Sequence, residues 1–183
     1  MQPEAWRRKV GVIFQDFVRY DLTARDNIGF GEIEAYLQGA LEEKLKVSAV
    51  QGGAHDMIAG LPKGYDTVLG RRFEGGTDLS GGQWQKIALA RAFVRDAELL
   101  VLDEPTAALD AFAEAEVYKR FAELTEGKST VFVTHRLSSV KMAQNILVLK
   151  DGALIESGDH SALMAQAGEY ARMYTLQAER YAS

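Results

Sequence analysis

Four places in the 183-residue chain hold the residue types that chemistry on an anionic, metal-bound substrate needs. The first is Leu79-Ser80-Gly81-Gly82-Gln83. These residues open a segment whose apolar positions, Ile87, Ala90, Phe93 and Val94, recur at helical spacing. Glycines let a backbone approach a ligand closely, and the first N–H groups of a helix have no intrahelical acceptor. With the positive dipole end, such a tip attracts anions, and Ser80 adds a hydroxyl donor. The same residues also suit a capped helix start after a flexible loop. The second place is Asp103-Glu104-Pro105, which closes the apolar run Leu99-Leu100-Val101-Leu102. Acids at the C-terminal end of a buried strand lie where α/β folds bind ligands. Adjacent strand residues point to opposite sides, so the two carboxylates can serve different tasks. Elsewhere the same tripeptide is a solvated turn. Gln15 and His135 are the third and fourth, single polar residues that each follow an apolar run.

The elements that must position these residues are legible in the hydrophobic pattern. Strands are predicted over Val10–Phe14, Leu99–Leu102, Thr130–Thr134 and Ile146–Leu149. The last three are uninterrupted apolar runs, as in a parallel sheet covered on both faces. Lys150-Asp151-Gly152 predicts a tight turn into Ala153-Leu154-Ile155. Amphipathic spacing predicts helices over 33–47 and 111–125, the latter closed by Gly127, and shorter ones over 138–143, 160–166 and 169–180. Gly52-Gly53 argues against a helix through 48–58. Residues 23–73 contain no strand pattern and read as a helical insertion. Beyond residue 84, strands and helices alternate, the mark of an α/β fold with crossover connections.

Composition narrows the field. A hydrophobic fraction of 47% and a charged fraction of 26% are those of a globular domain. A net charge of −5 without a basic block gives no footprint for nucleic acid. The absence of cysteine excludes disulfides and Cys-ligated zinc. No stretch reaches 18 apolar residues, and the N-terminus has no secretory signal pattern.

The Leu79–Gln83 loop, continued by Trp84-Gln85-Lys86 and Ala90-Arg91-Ala92, resembles the signature loop of ATP-binding-cassette (ABC) ATPases. Leu99 to Pro105 is similar to that family's Walker B strand, Gln15 to its Q-loop glutamine, Thr106-Ala107-Ala108-Leu109-Asp110 to its D-loop, and His135 to its switch histidine. Phe14-Gln15-Asp16-Phe17, Leu22 to Ile28 and Leu61 to Thr67 look like bacterial exporters of the multidrug and lipid type. The resemblance implies an α/β fold: a partial P-loop NTPase (RecA-like) parallel sheet with a helical subdomain inserted. Residues 1–22 would be a remnant of the catalytic core, 23–95 the helical subdomain ending in the signature helix, and 96–183 the C-terminal half of the core.

The resemblance also implies roles. ATP and Mg²⁺ would be the cofactors. Asp103 would hold Mg²⁺, Gln15 would reach both Mg²⁺ and the attacking water, Glu104 would polarise that water, and His135 would contact the γ-phosphate. Ser80, Gly81, Gly82 and Gln83 would bind the nucleotide of a second cassette, with Asp110 at the contact between the two. A second ABC ATPase domain and an exporter's transmembrane domain would be the partners, at the cytoplasmic face of the inner membrane. His55 and His160 receive no functional role. The stretch Arg71–Asp78 is longer than the commonest exporter form, so the substrate is not carried over.

One expected part does not occur. The phosphate-gripping pattern Gly-x-x-x-x-Gly-Lys-Ser/Thr is absent from the 183 residues, and the resemblance places it upstream of Gln15. The chain is therefore expected to be truncated before the Q-loop. Gly127-Lys128-Ser129-Thr130 imitates the motif's end, but Ala122 stands where its first glycine belongs, and it precedes a strand rather than following one. A signature half of a DNA-associated ABC-type ATPase is the alternative, though no heptads or basic face accompany it; a non-catalytic interaction module is another. Losing a lysine and several backbone donors removes on the order of 5–10 kcal/mol of phosphate binding. Isothermal titration of the chain with Mg-ATP should therefore show no low-micromolar binding.

Overall fold

A three-stranded parallel sheet carries the acidic strand end. In the computed structural model, which describes residues 3–72, 75–104, 117–118, 121, 127–136 and 140–182, helix α1 (Pro3–Arg8) leads into β1 (Val10–Ile13). Strands β2 (Leu99–Asp103) and β3 (Ser129–Val133) follow, in the order β1-β2-β3. The register aligns Val12 with Val101 and Val131, and Ile13 with Leu102 and Phe132. A sheet that grows in one direction through right-handed crossovers carries both connections on the same face. That face is covered: Ile13, Leu102, Tyr118 and Phe121 form one buried cluster with Leu89 and Ala92 of helix α6 (Gly81–Phe93). Phe121 packs on Phe132 and Phe93 with ring centroids 5.7 and 5.9 Å apart. Each such buried side chain stabilises by roughly 1.5–3 kcal/mol.

The opposite face corrects the expectation of a sheet covered on both sides. Val12, Val131 and Val133 are 40%, 48% and 50% exposed, so among the described residues nothing covers that row of valines. The uninterrupted apolar pattern of the strands is still present. Its outward half is exposed at Val12, Val131 and Val133.

Residues 23–79 fold as short helices packed around α6: α2 (Ala24–Gly29), α3 (Ile33–Leu37), α4 (Glu42–Gln51) and α5 (His55–Ala59). No strand forms there; Thr23 with Val68 and Leu69 with Thr77 make isolated bridges. Ile28, Leu41, Leu45, Ile58, Leu69 and Ile87 share one core. Thr23 and Asp26 start α2 with a capping box. Burial pushes the Asp26 carboxyl up, but hydrogen bonds from Thr23 and Tyr36 outweigh it and hold the group below its ordinary range. The helix expected over 33–47 is two. Gly39, at φ 73°, breaks it after Leu37, and the acids Glu42 and Glu43 favour a new N-terminus. Helix α4 then ends at Gln51 with Gly52 as its cap. Gly52 also has a packing reason: a Cβ there would lie 2.5 Å from the Ala90 nitrogen of α6.

Residues 134–183 form a second unit. Strands β4 (Ile146–Lys150) and β5 (Ala153–Gly158) pair antiparallel through a turn at Asp151 (φ 50°) and Gly152 (φ 77°). The run at 146–149 therefore belongs to a hairpin rather than to the parallel sheet. Ile146 and Val148 pack against Leu163 of α7 (His160–Gln166) and Tyr170 of α8 (Glu169–Ala182). His160 Nδ1 lies 2.7 Å from the Tyr170 hydroxyl, a structural contact as expected. Of the expected helix over 111–125, Val117, Tyr118 and Phe121 are helical; its other residues, and 138–139 of the 138–143 helix, lie outside the described residues.

The bare valine row predicts self-association. Light scattering should show the chain above monomer mass, and Val131→Lys should lower that mass without lowering the melting midpoint.

Candidate functional site

Helix α6 starts at Ser80, whose backbone (φ −64°, ψ 161°) is extended, as an N-cap requires. The Gln83 N–H donates to Ser80 Oγ at 3.3 Å, and the Ser80 N–H donates to Gln83 Oε1 at 2.8 Å. This reciprocal box satisfies two amides and leaves those of Gly81 and Gly82 pointing from the tip with no intrahelical acceptor. Ser80 is exposed, with its O–H proton available to donate; Gly81, Gly82 and Gln83 are half-buried. The tip is open, as an anion site demands.

The acidic pair sits at the end of β2. Asp103 is aligned with Val133 of β3 and half-buried. At Glu104 the strand breaks: the residue lies at φ 45°, in the left-handed region, and its N–H donates to the Val133 carbonyl at 2.9 Å. Its Oε2 is buried. A non-glycine residue held left-handed costs of order 1–3 kcal/mol, and such strain gathers at functional sites.

Gln15 is exposed beyond β1, on a shallow open depression lined by Gln15, Asp16, Phe17 and Arg19. His135 is exposed in the second unit, in a turn where the Arg136 N–H donates to Thr134 Oγ1 at 2.9 Å. Asp110 lies outside the described residues. Within the first unit, Asp103 and Glu104 end the strand next to the one that precedes Gln15, and the Ser80 tip belongs to the helix beneath both strands.

Sequence reasoning missed Arg91 and Asn27. Arg91, on the same helix as the glycine tip, donates to the carbonyls of Asn27 (Nε, 2.6 Å) and Val18 (2.8 Å) and to Asn27 Oδ1 (3.0 Å). Its guanidinium also lies 4.8 Å from the Tyr20 ring centroid. Burial pulls the Arg91 pKa below its ordinary value, and Tyr20 offsets that in part. Asn27 is fully buried and donates to the carbonyls of Tyr20 and Thr23 at 2.9 and 3.0 Å. The available signal was an arginine set between two buried alanines, Ala90 and Ala92, in a helix with many buried residues.

The strain at Glu104 is measurable. Glu104→Gly should be more stable than Glu104→Ala by about 1 kcal/mol, because only glycine tolerates the left-handed backbone without a Cβ penalty. Paired thermal melts read the difference; equal midpoints would place no strain there.

Known proteins resemble this chain throughout. The family model described as "ABC transporter" matches residues 1–107. The chain is 42% identical over 171 residues to an ATP-dependent lipid A-core flippase of Syntrophus aciditrophicus, covering 93% of this chain and 27% of that protein. It is 38% identical over 174 residues to the nisin transport ATP-binding protein NisT of Lactococcus lactis, covering 95% and 28%. A solved structure of a bacterial Atm1-family ABC exporter with ATP bound superposes with a TM-score of 0.82 at 35% identity, over 94% of this chain and 29% of that one. The chain thus spans less than a third of the length of these relatives. With a glycine-opened helix tip, an acid-ended parallel strand and a family match over more than half its residues, the chain belongs to the ABC transporter family.

Proposed function

We propose that this chain supplies the signature-loop and Walker-B portion of an exporter's ATP-hydrolysing cassette, at the cytoplasmic face of the membrane. The observation that carries the reading is the open N-terminal tip of α6, with two amides and the Ser80 hydroxyl presented outward. The relatives' names speak of cargoes as unlike as lipid A-core, nisin and cyclolysin. A segment shared by all of them serves the energy step common to the group rather than the choice of cargo.

The residues fit the groups this reading calls for. Asp103 offers a hard oxygen at a half-exposed strand end. That suits Mg²⁺, which takes one or two carboxylates and completes its shell with water and phosphate oxygens. Mg-ATP supplies the phosphoryl group and the charge compensation for its transfer. Ser80, Gly81 and Gly82 would donate hydrogen bonds to phosphate oxygens of a nucleotide held mainly by a second cassette, with Gln83 keeping the tip in shape. Asp103 and Gln15 would orient the metal and its water. Glu104 would accept a hydrogen bond from the attacking water, and His135 would donate one to the terminal phosphate. Asp110 would lie at the contact between cassettes, and a transmembrane domain would take up the resulting motion. Alone, the chain lacks a phosphate loop and would not turn over ATP.

Grafting the chain in place of the matching 171 residues of the Syntrophus flippase tests this. The graft should hydrolyse Mg-ATP. Glu104→Gln should lower kcat at least about 100-fold while ATP still binds, which is the signature of a group acting in the transition state. A folded graft that binds Mg-ATP without hydrolysing it would refute the assignment.

A further inference from the structure

Residue 91 lies at the crossing of two parts of the site that the sequence keeps 64 residues apart. Its guanidinium reaches three acceptors on the segment after Gln15: the Val18 carbonyl, the Asn27 carbonyl and Asn27 Oδ1. The segment closes on itself through Asn27, which receives the Tyr20 N–H at 3.3 Å on Oδ1 and donates to the Tyr20 and Thr23 carbonyls. Tyr20 in turn packs on the guanidinium face and, edge-on, on Phe30 at 5.4 Å. Arg95, two residues past the end of α6, donates to the carbonyls of Gly31, Arg7 and Val10. The stretch on both sides of Gln15 is therefore bound to α6, the helix whose tip is Ser80, or to Arg95 just past its end. A planar fork with several fixed donors can hold these acceptors together; a lysine is a single point charge on a flexible stem.

We infer that Arg91 is a positioning residue that fixes the Gln15–Tyr20 loop to helix α6, so that Gln15 and the Ser80 tip move as one body. The inference rests on the proposed function only for what Gln15 does once placed. The coupling itself is a property of the folded chain, without nucleotide.

Hydrogen exchange on the whole 183-residue chain decides it, in a Trp6→Phe background so that Trp84 of α6 alone reports by fluorescence. Arg91→Ala and Arg91→Lys should each raise exchange at the Tyr20 and Leu22 amides by about tenfold, equivalent to about 1.4 kcal/mol of lost local protection. Exchange over α4 and α5 and the Trp84 emission should stay as in the wild type. Unchanged exchange at Tyr20 and Leu22 overturns the inference. Recovery in Arg91→Lys overturns it too, because charge or stem packing would then suffice. A uniform rise that includes α4 and α5, with a shift in Trp84 emission, would make Arg91 a general packing residue and overturn it as well. No nucleotide is present, so an inactive graft would leave this result standing, and a failure here would leave the graft's activity untouched.

Discussion

The guanidiniums of Arg91, on helix α6, and Arg95, just past its end, hold five backbone carbonyls, those of Arg7, Val10, Val18, Asn27 and Gly31. A helix whose N-terminal tip is exposed has to be anchored by its flanks, because that end can contribute little packing. The two arginines supply part of that anchoring. The rest comes from close approach, with Gly52 against Ala90, and Gly31 so near the Arg91 carbonyl that no side chain fits between them. Ile87, Ala90 and Val94 fill the core on one side while Leu89 and Ala92 reach the sheet on the other. Helices α2 and α4 and strand β1 are thus referred to α6, and the placement of the glycine tip is a consequence of that.

The strand end obeys a second constraint. β2 lies between β1 and β3, so its backbone is fixed on both edges as far as Asp103. At the next residue the chain must leave the sheet, and it does so through a left-handed Glu104 whose amide remains tied to Val133. A strained backbone at an acid persists only where the surrounding structure enforces it. Here the enforcement is the β2–β3 ladder.

Much of this was legible in the sequence, and the limits have physical causes. Short β-rich runs such as Leu99–Leu102 identified the strands of both units because buried strands leave a dense apolar signature. The same runs misled about coverage: Val131 and Val133 are apolar whether or not anything lies over them, so pattern cannot report a bare face. Ile146–Leu149 looked identical to a parallel strand because local composition carries no information about the partner's direction. The 33–47 helix was drawn across Gly39 because periodicity tolerates one glycine, while the left-handed φ there does not. Gln15, Ser80, Asp103, Glu104 and His135 stand out as candidates by motif order alone. Arg91 and Asn27 were missed because their value lies in reaching carbonyls distant in sequence, which no local spacing encodes.

The reciprocal hydrogen bonds between Ser80 and Gln83 have a thermodynamic corollary. They close the tip of α6 before any ligand arrives, so its outward donors are already fixed by folding. An incoming anion need not immobilise the loop, and the unfavourable configurational entropy that usually weakens glycine-rich cradles is spared. What remains to resist association is the stripping of water from two amides and one hydroxyl. A tip of this kind would recognise an anion by shape rather than by adapting to it, and would release it again without unravelling.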